Sequence, residues 1–434
     1  MTELRKIKIS DLCTIEKGKI GIKKAIPGEY PLVVTAEKRL TCNEYHFDKT
    51  SVIIPLVSST GHGHASLKRI HYQEGKFAVG SILCVVTPKD NNILDAYFLY
   101  KFLDLYKEQL LVSRMKGMAN VTLPMKEIGK IEIPLISIVE QKKWINSFKI
   151  THRNITQFDT EITNQQVYLK KLRQTILQEA IQGKLTKEWR KHNQNVEPAS
   201  ELLKKIKAEK DKLIKEKKIN KGKPLPPIKP DEIPFEIPET WQWTYTSEVC
   251  NYIVDCPHST PKFIDTGYNC IDTTCVNDRG EILLNRVRKV SINTFNSRNE
   301  RLVPARGDII YSREGSIGQA VILPDKYPAC LGQRVMLFRP YREIPSVMFR
   351  FIVVSSFFLN KLIENHKGIG AKHVNMKDLR GSLIPLPPLD EQKEIVSRII
   401  KLIKYCDELE IHISKTQKYS ETLMQTVLKE AFER

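Results

Sequence analysis

No stretch of this sequence is apolar for long enough to cross a membrane. A membrane-spanning helix needs ~18 or more consecutive apolar residues, and no run approaches that length. The first eight residues also lack the apolar core of a signal peptide. These absences predict a cytoplasmic protein. A disulfide framework is also not expected, because nine cysteines are an odd number and are scattered over 434 residues.

Cysteines cluster in one segment, at Cys250, Cys256, Cys270 and Cys275. The first two are separated by five residues and the last two by four. Structural zinc sites favour tighter pairs. We therefore expect reduced, partly buried thiols, with a zinc site as the alternative.

The motifs of common enzyme classes are missing. The chain has no phosphate-binding Gly-x-x-x-x-Gly-Lys-Ser/Thr loop, no Gly-x-Gly-x-x-Gly after a strand and no Gly-x-Ser-x-Gly elbow. It also has neither the cofactor loop nor the Asn/Asp-Pro-Pro-aromatic turn of a DNA adenine methylase. His62 and His64 share a loop, but two ligands without a third are a weak indication of a metal. We predict no catalytic residue and no metal site.

One cluster, Asp390-Glu391-Gln392-Lys393, is similar to the carboxylates and lysine of a nuclease. A second copy of the same segment keeps Glu140-Gln141-Lys142 but has Val139 in the position of Asp390. A glutamate near a helix start is stabilised by the helix dipole in either copy. We therefore interpret both segments as helix starts.

What the chain does have is positive charge. Its 69 Lys and Arg residues outnumber 50 Asp and Glu residues, for a net charge of +19. Such a surplus predicts a polyanionic partner, with nucleic acid as the first candidate and an anionic membrane surface as the second. The length of 434 residues predicts at least two domains.

A segment of about fifty residues occurs twice. Residues 133–182 begin Ile-Pro-Leu, continue through Glu-Gln-Lys and end in a long helical pattern, and residues 384–433 repeat this plan. One constant offset aligns the two copies without a gap. The chain is therefore predicted to consist of two related halves in tandem.

Both copies predict a long helix with a coiled-coil seam. Ser137 precedes Glu140 by three residues, which is the spacing of a capping box. Apolar or small residues then follow at alternating steps of four and three. We expect these helices to bury their seams on each other; the alternative is two separate amphipathic helices, each lying on its own domain. The predicted packing residues are Trp144, Phe148, Ile155, Phe158, Ile162, Leu169 and Leu172 in the first copy and Ile395, Ile399, Leu402, Leu409, Ile413 and Leu423 in the second.

The segments outside the long helices alternate short apolar runs with turn signals and helical spacing, which predicts α+β domains. Turn-rich loops in both domains carry Ser, Thr, His, Arg, Lys and Asn beside glycine. Arg and Lys can bind guanine edges and Asn can read adenine, and glycine lets backbone amides approach phosphates. The predicted organisation is a domain at 1–136, a helix at 137–183, a charged helix with a proline-rich linker at 184–239, a second domain at 240–387 and a second helix at 388–434.

In its order of features the chain resembles the specificity subunits of type I restriction-modification systems. The resemblance covers essentially the full length and rests on Ile-Pro-Leu followed by a Glu-Gln-Lys helix after each domain. Residues 178–186, 223–236 and 255–261 are similar to family members as well. The two domains differ between these points; the first has no counterpart of Trp241 and Trp243.

The resemblance implies a fold and a function. Two pseudo-repeated target-recognition domains, each reading one half of a bipartite double-stranded DNA site, would be separated by two long antiparallel coiled-coil helices. The helices would bind two modification (methyltransferase) subunits, and restriction (nuclease/translocase) subunits would complete the complex. S-adenosylmethionine, ATP and Mg are then expected only in the partner subunits, and no membrane is involved.

DNA contacts are expected by loop position only, at Ser59, Thr60, His62, His64, Lys116, Asn120, His258, Ser259, Thr260, Arg313, Ser316, Lys372 and His373. A second function also fits the residues. In that reading the chain is a non-catalytic coiled-coil scaffold that joins other proteins, and its positive charge matches an acidic face of a partner.

Overall fold

The computed structural model describes residues 6–60, 63–118, 120–217, 219, 225–364, 374–430 and 432. The chain forms two compact units. One consists of residues 1–164 and 413–434, and the other of residues 165–412. Each unit therefore contains one α+β domain and a part of each long helix.

The first domain is built from short strands with a few helices. Its strands are β1 (Lys6–Lys8), β2 (Cys13–Lys17), β3 (Tyr30–Val33), β4 (Leu40–Cys42), β5 (Phe47–Asp48), β6 (Ser51–Pro55), β7 (His71–Gln73), β8 (Lys76–Val79), β9 (Leu83–Pro88) and β10 (Glu132–Pro134). Its helices are α1 (Ile9–Leu12), α2 (Ala96–Leu105), α3 (Lys107–Leu110) and α4 (Met125–Gly129), with 3-10 turns at Ile22–Lys24 and Val112–Arg114.

The core of this domain lies on the sheet β2-β9-β6-β7. Strands β6 and β9 are buried along their whole length, which agrees with their nearly continuous apolar sequences. Helix α2 packs its apolar side on this sheet and starts where Asp95 accepts hydrogen bonds from the backbone N–H groups of Tyr97 and Phe98. A second sheet has the order β4-β3-β8-β5, and β1 pairs with β10.

The first long helix, α5 (Ile138–Ile181), begins at the predicted capping box. The backbone N–H of Glu140 donates to Ser137 Oγ at 3.3 Å, and the Ser137 N–H donates to Glu140 Oε2 at 3.1 Å. After α5 come α6 (Lys187–His192) and α7 (Ala199–Lys215). Helix α7 is the charged helix predicted within residues 184–239, and it buries Ala199, Leu202 and Ile206.

The second domain repeats the plan of the first. Its strands are β11 (Gln242–Tyr245), β12 (Cys250–Asp255), β13 (Phe263–Ile264), β14 (Tyr268–Ile271), β15 (Arg288–Val290), β16 (Ile309–Ser312), β17 (Ala320–Ile322), β18 (Ala329–Leu331), β19 (Val335–Pro340) and β20 (Leu383–Leu386). Its helices are α8 (Thr246–Val249), α9 (Ile292–Arg298), α10 (Ser346–Val353), α11 (Ser356–Glu364) and α12 (Met376–Gly381), and its 3-10 turns lie at Thr273–Cys275 and Leu284–Arg286. A further 3-10 turn, Pro230–Glu232, precedes the domain.

The sheet order establishes the internal repeat. The buried sheet β12-β19-β16-β17 has the same connections as β2-β9-β6-β7, and β11 pairs with β20 as β1 pairs with β10. The second sheets differ at one edge: β15-β14-β18 corresponds to β4-β3-β8, while β13 and β5 lie on opposite sides. The buried sheet and the terminal strand pair are therefore shared by the two domains, and the outer edge is not.

The second long helix, α13 (Leu389–Glu430), runs antiparallel to α5 within each unit. In the first unit, Trp144 donates through Nε1 to the carbonyl of Val427, and Ser420 donates to Asp159. In the second unit, Arg173 pairs with Asp407 and with Glu410. These contacts exclude two helices that lie only on their own domains. They confirm the predicted fold class, an α+β chain of two pseudo-repeated domains with two long antiparallel helices.

The helices bury a narrower stripe than the sequence predicted. Of the predicted packing residues, four are substantially exposed: Phe158 (46%), Leu172 (43%), Leu409 (49%) and Leu423 (51%). Between Phe148 and Ile176 of α5 the buried residues recur every seven positions, at Phe148, Ile155, Ile162, Leu169 and Ile176. The predicted packing is wrong at those four positions. The buried stripe of α5 therefore uses one of the two seam positions of each heptad, and the other position is more exposed to solvent.

Candidate functional site

Three connections leave one end of the buried sheet in each domain. In the first domain, Lys17 and Pro55 lie beside Cys84 and Leu83, so β2 and β6 end where β9 begins. In the second domain, Asp255 and Ser312 lie beside Met336 and Val335 in the same way. We call these the loop ends. The first comprises residues 18–21, 56–60, 63–66, 80–82, 116–118 and 120–122, and the second comprises residues 256–262, 313–318 and 332–334.

The first loop end brings together two loops that the sequence singled out. Val57 forms a β-bridge with Thr122, and Thr122 forms another with Lys116. The Ser58 N–H donates to the carbonyl of Val121 at 3.0 Å. A Cβ placed on Gly63, which has φ of 79°, would lie 2.5 Å from the carbonyl oxygen of Met118. Residues more than fifty positions apart therefore form one surface.

Hydroxyl groups fix the shape of this surface. Ser58 Oγ donates to the carbonyl of His64 at 2.6 Å, and Thr60 Oγ1 donates to the same oxygen at 3.2 Å. Ser59 Oγ accepts from the N–H of Lys68 at 2.9 Å. Ser59, Thr60 and His64 are exposed, so the predicted positions lie on the surface, with the two hydroxyls engaged in holding the loop. His62 lies outside the described residues.

The second loop of this end carries the other predicted contacts. Lys116 and Asn120 are exposed, and Met118 between them is 93% exposed. Lys116 Nζ lies 3.5 Å from Glu127 Oε1, which Lys130 also approaches at 3.0 Å. Hydrogen bonding to Lys130 is the main cause that lowers the pKa of Glu127. Lys116 is thus directed by a carboxylate that keeps its charge.

Three exposed lysines, one within the first loop end and two just beyond it in the same connection, were not among the predicted contacts. Lys19, Lys23 and Lys24 follow β2, and all three are exposed. Lys19 Nζ lies 5.2 Å from the ring centroid of Phe47. Because β2 and β6 both pair antiparallel with β9, the segment after β2 leaves the sheet at the same end as the loop after β6. The sequence alone did not reveal these pairings.

The second loop end is built around a buried arginine, Arg298, which is 7% exposed. Its Nε donates to the carbonyl of Leu331 at 2.6 Å, and its Nη2 donates to that of Gly332 at 2.9 Å. Its Nη1 donates to the carbonyl of Ser259 at 3.0 Å, and Nη2 also reaches that of Pro257 at 3.3 Å. One guanidinium therefore joins the loop after β12 to the turn before β19.

Arg313 has a different role from the predicted DNA contact. Its side chain is 3% exposed, and its Nε lies 3.0 Å from Asp255 Oδ1. Its backbone N–H donates to the carbonyl of Arg334, and its carbonyl accepts from the N–H of Val374. A side chain buried to this degree cannot reach a base or a phosphate from this position. Arg313 is a positioning residue, and the prediction of direct contact is wrong in this conformation.

The remaining predicted positions of the second loop end are exposed. His258, Ser259, Thr260 and Ser316 all face solvent. His258 Nε2 lies 3.6 Å from Asp255 Oδ2, and Thr260 Oγ1 accepts from Gln333 Nε2 at 2.9 Å. Lys372 and His373 lie outside the described residues.

A buried carboxylate supports the second loop end from below. Asp272 is 4% exposed, and its Cβ would lie 2.6 Å from a Cβ added to Gly332. Burial raises the pKa of Asp272, but hydrogen bonds from Thr274 and Arg288 outweigh this effect and leave the pKa below its ordinary value. Asp272 therefore stays ionised beneath a turn that only glycine fits.

These surfaces offer hydrogen-bond donors and positive charge. Among the described residues, no group of three or more His, Cys, Asp or Glu side chains could hold a metal ion. All nine cysteines are free and buried. Glu391, from the cluster similar to a nuclease, binds Thr186, Arg190 and Trp241 instead. No single described helix could span a membrane, although the bent pair of α10 and α11 has sufficient length and apolar content when taken together.

Comparison with known proteins identifies similar sequences over both halves. The family described as type I restriction modification DNA specificity domain matches residues 1–166 and 238–416. The specificity subunit of the type I restriction enzyme EcoAI from Escherichia coli is 34% identical over 280 residues, which are 63% of this chain and 46% of that protein. The match to the EcoEI specificity subunit of Escherichia coli is 29% identical and covers 60% of this chain and 44% of that protein. The aligned region thus spans about half the length of these relatives.

Solved structures show the same fold. A chain from a structure on complex assembly and conformational transition of the type I R-M system superposes with a TM-score of 0.67, at 17% identity over 100% of this chain and 98% of that one. The HsdS subunit from Thermoanaerobacter tengcongensis superposes with a TM-score of 0.52, at 17% identity over 99% of this chain and 97% of that one.

Proposed function

Because the chain belongs to the family of type I restriction modification DNA specificity domains, we propose that it is the DNA-sequence-specificity subunit of a type I restriction-modification complex. Each α+β domain reads one half of a bipartite site in double-stranded DNA. The chain itself contributes no catalytic residue. The methyl donor S-adenosylmethionine, and ATP and Mg, act in partner subunits.

The observation that carries this proposal is that one frame is built twice with two different loop ends. The buried sheets share their strand order, whereas one loop end is fastened by Ser and Thr hydroxyls and the other by buried arginines. Sequence is read at base edges by side chains, while a protein's position on DNA is set by phosphate contacts. A repeated frame with unlike reading side chains suits two unlike half-sites.

The long helices provide the surface for the methyltransferase subunits. They leave apolar side chains between 43% and 73% exposed, at Val139, Ile150, Phe158, Val167, Tyr168, Leu172, Ile400, Tyr405, Leu409, Ile411, Tyr419 and Leu423. Tyr168 and Leu172, and likewise Tyr419 and Leu423, are four residues apart and so adjoin on one helix face. Adjoining exposed apolar side chains are typical of interaction surfaces. The restriction subunits join the same complex. The positions where the predicted seam is solvent-exposed belong to this docking surface.

The test is a map of DNA methylation in the source cell with the gene present, deleted and restored. We expect one bipartite adenine-methylation motif to disappear on deletion and to return with the gene. Unchanged motifs would contradict the proposal and favour a protein scaffold. A purified chain that transferred methyl groups without partners would also contradict it.

A domain exchange separates the two halves. Replacing residues 1–136 by the corresponding domain of another family member should change one half of the motif and leave the other half and the adenine chemistry intact. Replacing residues 240–387 should change the other half. A change in both halves after either exchange would show that the domains do not read independently.

A further inference from the structure

We propose that the turn Gln333–Arg334 reads a base in the half-site of the second domain, with Arg334 contacting a guanine in the major groove. This inference rests on the proposed function and adds a specificity-determining residue to it. The turn connects β18 to β19 and was not among the loops that the sequence singled out. It lies at the centre of the second loop end.

The position of the turn follows from its backbone contacts. The carbonyl of Arg334 accepts from the N–H of Arg313 at 3.0 Å, which ties it to the loop after β16. The carbonyl of Gly332 accepts from Arg298, which also holds the loop after β12. The turn is therefore fastened to both other connections of the loop end, so the mobility that weakens a reading contact is reduced.

The backbone of Arg334 is in a conformation that arginine rarely adopts. Its φ is 62°, and only Lys217 and Lys326 share a positive φ among the described non-glycine residues. Such a conformation costs on the order of 1 kcal/mol or more and tends to occur at functional sites. At this position it directs the side chain outward, and the side chain is 64% exposed.

The side chains of the turn are held without being buried. Arg334 Nε lies 3.6 Å from Glu314 Oε2, and Gln333 Nε2 donates to Thr260 Oγ1 at 2.9 Å. Arg313, by contrast, is buried against Asp255. Arg334 is thus the arginine of this loop end whose guanidinium faces solvent while its carboxylate partner limits its rotamers.

The side chains of the turn are better suited to contacting the edge of a DNA base than a DNA phosphate. A guanidinium donates two parallel hydrogen bonds to guanine O6 and N7, and a glutamine amide pairs with adenine N6 and N7. Glu314 beside Arg334 disfavours a phosphate, because like charges repel, and a carboxylate can accept from a cytosine amino group. Arg334 and Glu314 together therefore match the hydrogen-bonding groups of a guanine–cytosine base pair.

The first domain has no such residue at the equivalent turn. Its β8 and β9 are joined by Gly80-Ser81-Ile82, which has the same length and the same leading glycine as Gly332-Gln333-Arg334. Loss of Arg334 should consequently affect the half-site of the second domain only.

The experiment compares methylation motifs in the source cell whose gene has been replaced by the wild type, Arg334→Ala, Arg334→Gly or Lys326→Ala. Glycine accepts a φ of 62° without strain, so Arg334→Gly removes the side chain without harming the turn. Lys326→Ala is the matched control. Lys326 is also an exposed cation with positive φ, at 53°, but it follows β17 at the opposite end of the sheet.

We expect both Arg334 variants to tolerate other base pairs at one or two adjacent positions that require guanine in the wild type. The loss of discrimination should be about 5- to 150-fold, which corresponds to about 1–3 kcal/mol for a bidentate contact. The affected half must be the one that changes when residues 240–387 are exchanged. Lys326→Ala should give the wild-type motif.

Three results would overturn the assignment. They are an unchanged motif in Arg334→Gly, a uniform loss of methylation at all positions of both halves with a normal amount of protein, or relaxation in the half that follows residues 1–136. If the wild-type gene directs no motif at all, the proposed function itself fails, and that result is recognisable before any variant is compared.

Discussion

The two loop ends occupy the same place on the same frame, yet different chemistry holds them. In the first, small hydroxyl side chains bond to nearby backbone, as Ser58 and Thr60 do with the carbonyl of His64. In the second, the buried Arg298 donates to four carbonyl groups. The frame depends on apolar strands that both domains share. The loop shapes depend on polar side chains that each domain has acquired separately.

The largest expected effect comes from removing Arg298. In Arg298→Met the carbonyls of Leu331, Gly332, Ser259 and Pro257 lose a charged donor, and buried acceptors without partners are costly. We expect the unfolding free energy of the second domain to fall by about 4 kcal/mol. We also expect this domain to stop recognising its DNA half-site. Urea unfolding followed by a deuterium pulse, analysed on peptides from residues 256–262 and 329–334, measures the loss.

The control for this variant is Arg301→Met, which changes an exposed arginine three positions further along the chain. It should unfold at the wild-type urea concentration. Equal effects of the two variants would show that Arg298 does not organise the loop end. An effect of Arg298→Met on peptides of the first domain would show that the loop ends are not independently built.

The repeated helix starts offer a second comparison of the two halves. Gln141 and Gln392 act alike, because each donates through Nε2 to the carbonyl five residues earlier, in Ile136 and Pro387. The glutamates that precede them, Glu140 and Glu391, have different environments. Glu140 is exposed and completes a capping box, whereas Glu391 is 1% exposed.

Glu391 and Glu140 should therefore respond differently to the same substitution. Glu391→Gln removes the charge that pairs with Arg190 and weakens the bonds from Thr186 and Trp241. We expect a loss of about 3 kcal/mol for this buried network and of about 1 kcal/mol or less for Glu140→Gln at a helix cap. Urea unfolding with the same deuterium pulse compares the two. Equal losses would contradict a distinct role for Glu391.

Much of the frame was predictable because it depends on apolar spacing. The capping box at Ser137 and the two long helices follow from local patterns. The antiparallel course followed from the family resemblance. Predictions were wrong where the heptad pattern includes more residues than the helix contact buries. Phe158 and Leu409, for example, belong to the seam by their spacing but are exposed.

The loops that form the candidate site could be predicted from the sequence, but the roles of their side chains could not. Ser59 and Thr60 were singled out correctly as loop residues, but sequence spacing does not reveal that Ser58 and Thr60 donate hydrogen bonds to the carbonyl of His64. Arginine is a residue type that often contacts DNA, but Arg313 is buried and paired with Asp255, which lies fifty-eight positions earlier in the sequence. Whether an arginine contacts a DNA base or instead holds a loop in place depends on such long-range partners.

A pH dependence confined to the first domain is the smallest of the predicted differences. His71 in β7 lies opposite Ile53, and the corresponding pair in the second domain is Val321 opposite Ile310. Burial, followed by the charges of Arg39 and Arg69, lowers the pKa of His71 to about 4. Because the unfolded chain has a pKa near ~6.5 and takes up the proton more readily, the stabilising contribution is complete above that pH and is lost as the pH falls toward 4.

At pH 5 this difference amounts to about 2 kcal/mol in the first domain. Samples equilibrated in urea at pH 5 and pH 7.5, then labelled with deuterium at one common pH, should show peptides from β6 and β9 destabilised more than those from β16 and β19. His71→Gln should remove the excess, since glutamine does not titrate. His64→Gln, in the exposed loop of the same domain, should retain it. A similar loss in both domains of the wild type, or an excess that persists in His71→Gln, would assign the pH dependence to other groups.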